Sequence, residues 1–293
     1  MAKTALVLSG GGARGAFQFM AEKYAREEKG YKWDLIAGVS IGAINGVMLA
    51  MKKHQRMEEL WKTLTRDQVM TGELNVWAIL RILFGAKSIY GNEPTWKMIQ
   101  EEVDLESIEI DLRIGVVSLP TGEYIRFTKD NPGFTKAVLA STAIPIVWAP
   151  VDISAEHTSM VDGGVRNISP LGDVIDSDPD EIVVINCSPR QPPKAAGPLR
   201  NVLEIGKHTL EIAMNEIFIT DVGEFIRINR NVQEAAEKGV TLHNEEGKPY
   251  KFYESKIIDP VEPLDDTLDF SREALDRSME AGWKRAQEIL GST

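Results

Sequence analysis

Residues 35–50 read LIAGVSIGAINGVMLA, and this stretch decides the fold. Its apolar start, 35–37, predicts a buried strand, and residues 43–50 predict a helix. Between them lies Gly38-Val39-Ser40-Ile41-Gly42, a G-x-S-x-G sequence. A strand, a sharp turn and a helix in this order form the context of a nucleophile elbow, where glycines flank a strained serine. A helix-capping serine in a glycine-tight turn is the alternative interpretation.

A second glycine-rich turn lies near the N-terminus. Residues 4–9, TALVLS, predict a strand, GGGARG follows at 10–15, and residues 16–29 predict a helix. Backbone N–H groups of such a loop bind negative groups. The spacing also fits a dinucleotide fingerprint with Asp34 as its ribose-binding acid. Asp34 precedes the second strand, however, whereas that acid should follow it. An oxyanion hole beside Ser40 is therefore the favoured interpretation.

A third motif, MVDGGV, spans residues 160–165. Asp162 stands at the end of an apolar run, and the two glycines after it allow another backbone to approach closely. A solvent-exposed Asp-Gly turn is the alternative, because that dipeptide is a general turn signal.

In this order the three motifs resemble the patatin-like phospholipase family. The segment 140–145, ASTAIP, is similar to an Ala-Ser-rich segment of that family, and the resemblance spans about residues 4–187. Ser9 departs from the pattern, since many relatives carry an acid there. The resemblance does not extend beyond about residue 190.

The resemblance implies a Ser–Asp dyad hydrolase that uses no histidine. Ser40 would be the nucleophile and Asp162 the base that takes its proton. The implied oxyanion hole consists of Gly10, Gly11, Gly12, Arg14 and Ile41, and the remaining motif glycines are Gly15, Gly38, Gly42, Gly163 and Gly164. A carboxylate with an ordinary pKa is a poor base for a serine hydroxyl, so Asp162 is expected to be desolvated.

A Ser–His–Asp triad is the rival mechanism. The chain has four histidines, His54, His157, His208 and His243. The chain order of an α/β-hydrolase would allow Ser40, Asp162 and either His208 or His243. The sequence around neither histidine is typical of a site, so the dyad is the favoured reading.

Composition indicates a globular chain of 293 residues with a net charge of −11. This charge argues against nucleic-acid binding and against simple docking on anionic lipid. The single cysteine, Cys187, predicts a buried thiol and fits a reducing, cytoplasmic compartment. No Cys/His cluster suggests a metal, and we expect neither a cofactor nor a secretory leader.

The apolar segment 74–84, with Ile89 and Tyr90 beyond it, is too short to span a bilayer. It predicts either a buried packing helix or a lid at a membrane surface. The enzyme could then contact a membrane peripherally.

Alternating strands and helices predict a three-layer α/β/α fold with a mainly parallel sheet and a helical C-terminal region. We expect a catalytic domain over 1–190 and a mostly helical extension over 191–293, joined by the Pro-rich segment 188–198. The expected activity is hydrolysis of phospholipids or related lipid esters. An acyltransferase or thioesterase on the same fold is the near alternative, and a dinucleotide-binding protein is the distant one. The oligomeric state stays open.

Overall fold

A computed structural model describes residues 3–73, 85–195 and 197–291 of the chain. Its strands are β1 (Thr4–Leu8), β2 (Leu35–Gly38), β3 (Asp111–Ser118), β4 (Tyr124–Phe127), β5 (Met160–Asp162), β6 (Glu181–Ile185) and β7 (Glu254–Ile258). Its helices are α1 (Gly15–Glu28), α2 (Ile41–Ala50), α3 (His54–Thr63), α4 (Glu93–Glu102), α5 (Phe134–Ser141), α6 (Leu171–Ile175), α7 (Val202–Glu237) and α8 (Arg272–Leu290). Short 3-10 turns cover Gly12–Arg14, Arg66–Gln68, Leu105–Ser107 and Gly163–Val165.

Within the described ranges the strands form one sheet in the order β4-β3-β2-β1-β6-β7, and β5 pairs with β3. The pairs among β1, β2, β3, β6 and β7 are parallel, whereas β4 and β5 run antiparallel to β3. Side chains alternate between the two faces of a strand. Leu6 and Leu8 accordingly face one core with α1, α2 and α8, and Ala5 and Val7 face a second core with α6 and α7. The predicted three-layer, mainly parallel fold is confirmed.

The register along β3 brings the second and third motifs together. β2 follows β3 only as far as the pair Gly38 and Ile114. β5 pairs with the remaining part of β3, where Asp162 lies opposite Val116. Because β5 runs antiparallel to β3, its last residue, Asp162, lies beside the end of β2, where the chain turns at Ser40. Two segments far apart in sequence therefore meet at the carboxyl edge of the sheet.

The C-terminal region is mostly helical, as predicted, but it also contributes to the sheet. β7 pairs in parallel with β6, from Glu181 opposite Glu254 to Ile185 opposite Ile258. Helix α8 packs on α1, where the rings of Tyr24 and Trp283 meet edge to face at 5.1 Å. The division at residue 190 remains a prediction.

The apolar segment 74–84, predicted as a packing helix or a lid, lies outside the described residues. Ile89, next to it, is buried. No helix in the described ranges combines the length and the apolar character that crossing a bilayer requires.

Candidate active site

Ser40 lies in a strained turn between β2 and α2. Its backbone angles are φ 55° and ψ −129°, a conformation that residues other than glycine rarely adopt. The flanking glycines permit this turn. A Cβ atom at Gly38 would lie 2.3 Å from the carbonyl oxygen of Gly42, and one at Gly42 would lie 2.3 Å from that of Leu8. The turn has the geometry expected of a nucleophile elbow.

Ser141 holds the Ser40 backbone in place. The N–H of Ser40 donates to Ser141 Oγ at 2.9 Å, and Ser141 Oγ donates to the carbonyl oxygen of Gly115 at 2.8 Å. Ser141 is fully buried at the end of α5. It lies in the Ala-Ser-rich segment, but nothing in the sequence of that segment indicates a positioning role for it.

Replacing Ser141 with alanine should lower both stability and turnover. The change leaves the buried N–H of Ser40 and the oxygen of Gly115 without this partner, which costs about 1–3 kcal/mol of unfolding free energy. Without the hydrogen bond to Ser141, the turn at Ser40 is held less firmly, and kcat/KM for a soluble ester should therefore also fall. Ser169→Ala is the matched control, because Ser169 is equally buried and its hydroxyl donates to Asn186 instead. Equal activity losses in the two variants would contradict the positioning role.

Asp162 is the last residue of β5 and is fully buried. Its backbone N–H donates to the oxygen of Ala143 at 3.1 Å, and its Oδ1 accepts a hydrogen bond from Gly164 N at 2.8 Å. Burial raises the pKa of Asp162 to about 7, against the lowering effect of hydrogen bonds from the Ser40 hydroxyl and Gly164 N–H. Oδ2 of Asp162 is buried and accepts no hydrogen bond from the described residues. The carboxyl is therefore desolvated, close to the serine and incompletely partnered.

The two glycines after Asp162 let three segments approach one another. A Cβ atom at Gly163 would lie 2.5 Å from the oxygen of Gly115 on β3. One at Gly164 would lie 2.8 Å from Met214 Cε on α7. Larger residues here would push the acid away from β3 or α7 away from the site.

The glycine loop lies directly beside the serine. A Cβ atom at Gly10 would lie 3.2 Å from Ser40 Cβ. The N–H of Gly10 donates to the oxygen of Ile168 at 3.0 Å, so this group anchors the loop and is not free to bind an oxyanion. The N–H groups of Gly11, Gly12 and Ile41 have no acceptor in the described part of the chain.

Arg14 connects this loop to the C-terminal region. Its guanidinium donates to the oxygen of Asp265 at 2.8 Å, to Ser188 Oγ at 3.3 Å and to Glu211 Oε1 at 3.2 Å. Its backbone N–H donates to Gly11 O. These bonds give Arg14 the role of fixing the loop. Gly15 lies one residue on, at the start of α1, where an added Cβ would collide with Ile41 at 2.2 Å.

None of the four histidines, all of them within the described ranges, lines a cavity that contains Ser40. His208, on α7, has Nδ1 3.4 Å from Glu211 Oε2. His157 packs against the ring of Phe127. This placement favours the dyad over the triad.

Asp34 lies at the amino ends of the parallel strands, whereas the glycine loop lies at their carboxyl ends. Its Oδ2 accepts a hydrogen bond from Thr4 N at 2.9 Å, at the start of β1, whereas the loop follows the end of that strand. It could not reach a ribose bound at Gly10–Gly15, which disfavours the dinucleotide interpretation. The described residues contain no group of three or more His, Cys, Asp and Glu side chains placed to hold a metal ion.

Curated relatives resemble about two thirds of this chain. Uncharacterised NTE family proteins of Mycobacterium bovis and of two Mycobacterium tuberculosis strains, CDC 1551 and H37Rv, are each 28% identical over 205 residues. The matches cover 68% of this chain and 52% of each relative, so the chain spans about half the length of these relatives.

Two solved structures and one family model also match. VipD from Legionella pneumophila is similar with a TM-score of 0.48 and 14% identity, over 99% of this chain and 67% of that one. The ExoU–SpcU complex of Pseudomonas aeruginosa gives a TM-score of 0.31 and 16% identity, over 97% and 52%. The model of the patatin-like phospholipase family matches residues 6–175, which is more than half of the chain. The chain belongs to the patatin-like phospholipase family.

Proposed function

We propose that the chain is a serine acyl-ester hydrolase that acts on phospholipids or related lipid esters through a Ser40–Asp162 dyad. One observation carries the proposal: a fully buried carboxyl, with its pKa raised to about 7, lies beside a serine held in a strained turn. A general base is most effective when its pKa lies near the working pH. Membership of the family supports a lipid ester as the substrate.

In the first half-reaction Asp162 takes the proton of Ser40 Oγ as this oxygen attacks the ester carbonyl carbon. The carbonyl electron pair moves onto oxygen, and the N–H groups of Gly11, Gly12 and Ile41 donate to the resulting oxyanion. The amino end of α2 adds a positive potential at the same place. The tetrahedral adduct then breaks its carbon–oxygen bond to the alcohol, which leaves with the proton from Asp162.

In the second half-reaction water attacks the acyl group on Ser40 while Asp162 accepts its proton. The second tetrahedral adduct breaks its bond between the acyl carbon and Ser40 Oγ, and Asp162 returns its proton to this oxygen. The products are a carboxylic acid and the restored serine, and neither step needs a metal ion or a cofactor. An alcohol in place of water would make the same site an acyltransferase, and a thioester substrate would make it a thioesterase.

An alkyl fluorophosphonate tests the nucleophile directly. We expect it to phosphonylate Ser40 Oγ with loss of fluoride, and peptide mass spectrometry should locate the adduct there. Ser40→Ala should carry no adduct and should not release fatty acid from a mixed lipid extract. An unlabelled wild-type chain that binds NAD would instead support the dinucleotide interpretation. Lipid hydrolysis undiminished in Ser40→Ala would refute the proposal.

The pH dependence of turnover should report Asp162. Only the ionised carboxylate accepts a proton, so kcat/KM for an uncharged aryl ester should fall about tenfold per pH unit below the pKa of about 7 and level off above it. Asp173→Asn is the control. Burial raises the pKa of Asp173 to about 6, but this residue binds Tyr124 Oη. A profile without an inflection near pH 7, or one that moves with Asp173→Asn, would contradict the assignment.

A further inference from the structure

Two cavities meet at Ser40. The α2–α3 cavity, of about 80 Å³, extends between α2, α3 and α4. The α7 cavity, of about 130 Å³, extends between the glycine loop, the segment 188–194 and α7. Ser40, Gly12 and Ile144 line both of them. The acyl chain and the alcohol of an ester bound at Ser40 can therefore extend in two different directions.

The α2–α3 cavity is suited to a hydrocarbon chain. Its described lining is mainly apolar and includes Ile44, Met48, Met57, Leu60, Trp61, Leu64, Met98, Trp148 and Phe270. Protein partners engage the polar groups of Asn45, Thr95 and Thr142. Apart from Ser40 itself, only Asn92 and the indole N–H of Trp148 lack a side-chain hydrogen bond to the described residues. A polar leaving group would lose its hydrogen bonds to water here, and the cavity offers few hydrogen-bonding groups to replace them.

The α7 cavity has a mixed lining. Besides Ser40, its charged side chains are Arg14, Lys194, Lys207 and Glu211, its polar ones include Gln191, Asn215 and Thr267, and apolar groups such as Leu210 and Met214 lie between them. Three cations and one anion line this cavity, in a chain whose net charge is −11. Glu211, Asp266 and the Gln191 carbonyl oxygen engage Arg14, Lys207 and Asn215, respectively. The side chains of Lys194 and Gln191 line the cavity without a hydrogen bond to the described residues, and they can hydrogen-bond an alcohol and its polar substituents.

We propose that the acyl chain of the substrate enters the α2–α3 cavity and that the alcohol leaving group occupies the α7 cavity. This assignment rests on the proposed function. It makes Ile44 and Leu60, which lie on α2 and α3, determinants of acyl-chain length. Neither residue is part of the dyad or the oxyanion hole.

A series of aryl esters from acetyl to palmitoyl tests the assignment. In the wild type, kcat/KM should rise about fourfold for each methylene that the cavity buries, since one buried methylene contributes about 0.8 kcal/mol. Ile44→Trp and, independently, Leu60→Trp should move the optimum to shorter chains while acetyl ester turnover stays within about threefold of the wild type. Leu210→Trp, which fills the α7 cavity instead, should leave the chain-length optimum unchanged. A shift caused by Leu210→Trp alone would overturn the assignment.

Tryptophan quenching provides a readout that does not depend on turnover. Among the tryptophans of the described residues, Trp61 and Trp148 line the α2–α3 cavity and none lines the α7 cavity. A dibrominated long-chain fatty acid should quench their fluorescence, and Trp61→Phe should remove part of the quenchable signal. Quenching without any Ser40-dependent turnover would sink the proposed function but support the chain site. Turnover with quenching unaffected by Trp61→Phe would sink the chain site alone.

Discussion

Asp162→Asn is expected to lower kcat/KM for a lipid ester by about 10⁴-fold and, above pH 7, to raise the free energy of unfolding. Activity is lost because an amide cannot accept the proton of Ser40 Oγ. The fold should tolerate the change, since the amide oxygen of asparagine can still accept the hydrogen bond from Gly164 N. Turnover is measured with a soluble ester, and stability by chemical denaturation at several pH values.

The sign of the stability change follows from the raised pKa of Asp162. Below pH 3.8 the carboxyl is protonated in both the folded and the unfolded chain. As the pH rises, the unfolded chain ionises first, and the folded chain keeps its proton until about pH 7. Stability is therefore lost across this interval, by roughly 4 kcal/mol at 1.36 kcal/mol per unit. Asparagine does not titrate, so the variant avoids this cost.

The advantage of Asp162→Asn should shrink as the pH falls towards 4, because the wild-type carboxyl is then neutral as well. Asp173→Asn, at a carboxyl whose pKa is raised to about 6, should show a smaller gain and keep its turnover. An Asp162→Asn variant that is less stable than the wild type at every pH would mean that the carboxylate is well solvated or paired. Retained turnover would exclude it as the base.

The elbow was predictable from sequence because its determinants are local. A short apolar run, two glycines spaced around a serine and a helix-forming run all fall within residues 35–50, and the close approach of Gly38 to Gly42 involves only neighbours. The proximity of Ser40 to Asp162, in contrast, does not follow from local sequence. It depends on the pairing of β5 with the part of β3 that β2 leaves unpaired. Nothing in the short run 160–162 indicates which strand it pairs with or in which direction.

The parts that the sequence did not reveal depend on distant partners. Arg14 was expected to assist the oxyanion, but its guanidinium binds Asp265 and Glu211, far along the chain. Gly10 was expected to donate to the oxyanion as well, but its N–H donates to Ile168. β7 escaped prediction because its sequence, ESKII, is short and mixes charged with apolar residues at the edge of the sheet. The wall that α7 provides for the cavity at Ser40 lies beyond the residues that resemble the family.

Ser40→Gly and Ser40→Ala should both lower kcat/KM by about 10⁶-fold, because each removes the nucleophilic hydroxyl. Their stabilities should differ. Alanine keeps a Cβ atom at φ 55°, whereas glycine adopts this angle without strain. We expect Ser40→Gly to be more stable than Ser40→Ala by about 1 kcal/mol, even though glycine has the larger backbone entropy when unfolded. Urea unfolding of the two inactive variants measures this difference. Neither variant loses a helix cap, since the Ser40 side chain makes no capping hydrogen bond. A Ser40→Ala variant that is more stable than Ser40→Gly by about 0.4–1 kcal/mol, the effect of backbone entropy alone, would show that the turn at Ser40 is unstrained, and the elbow would then lose its physical basis.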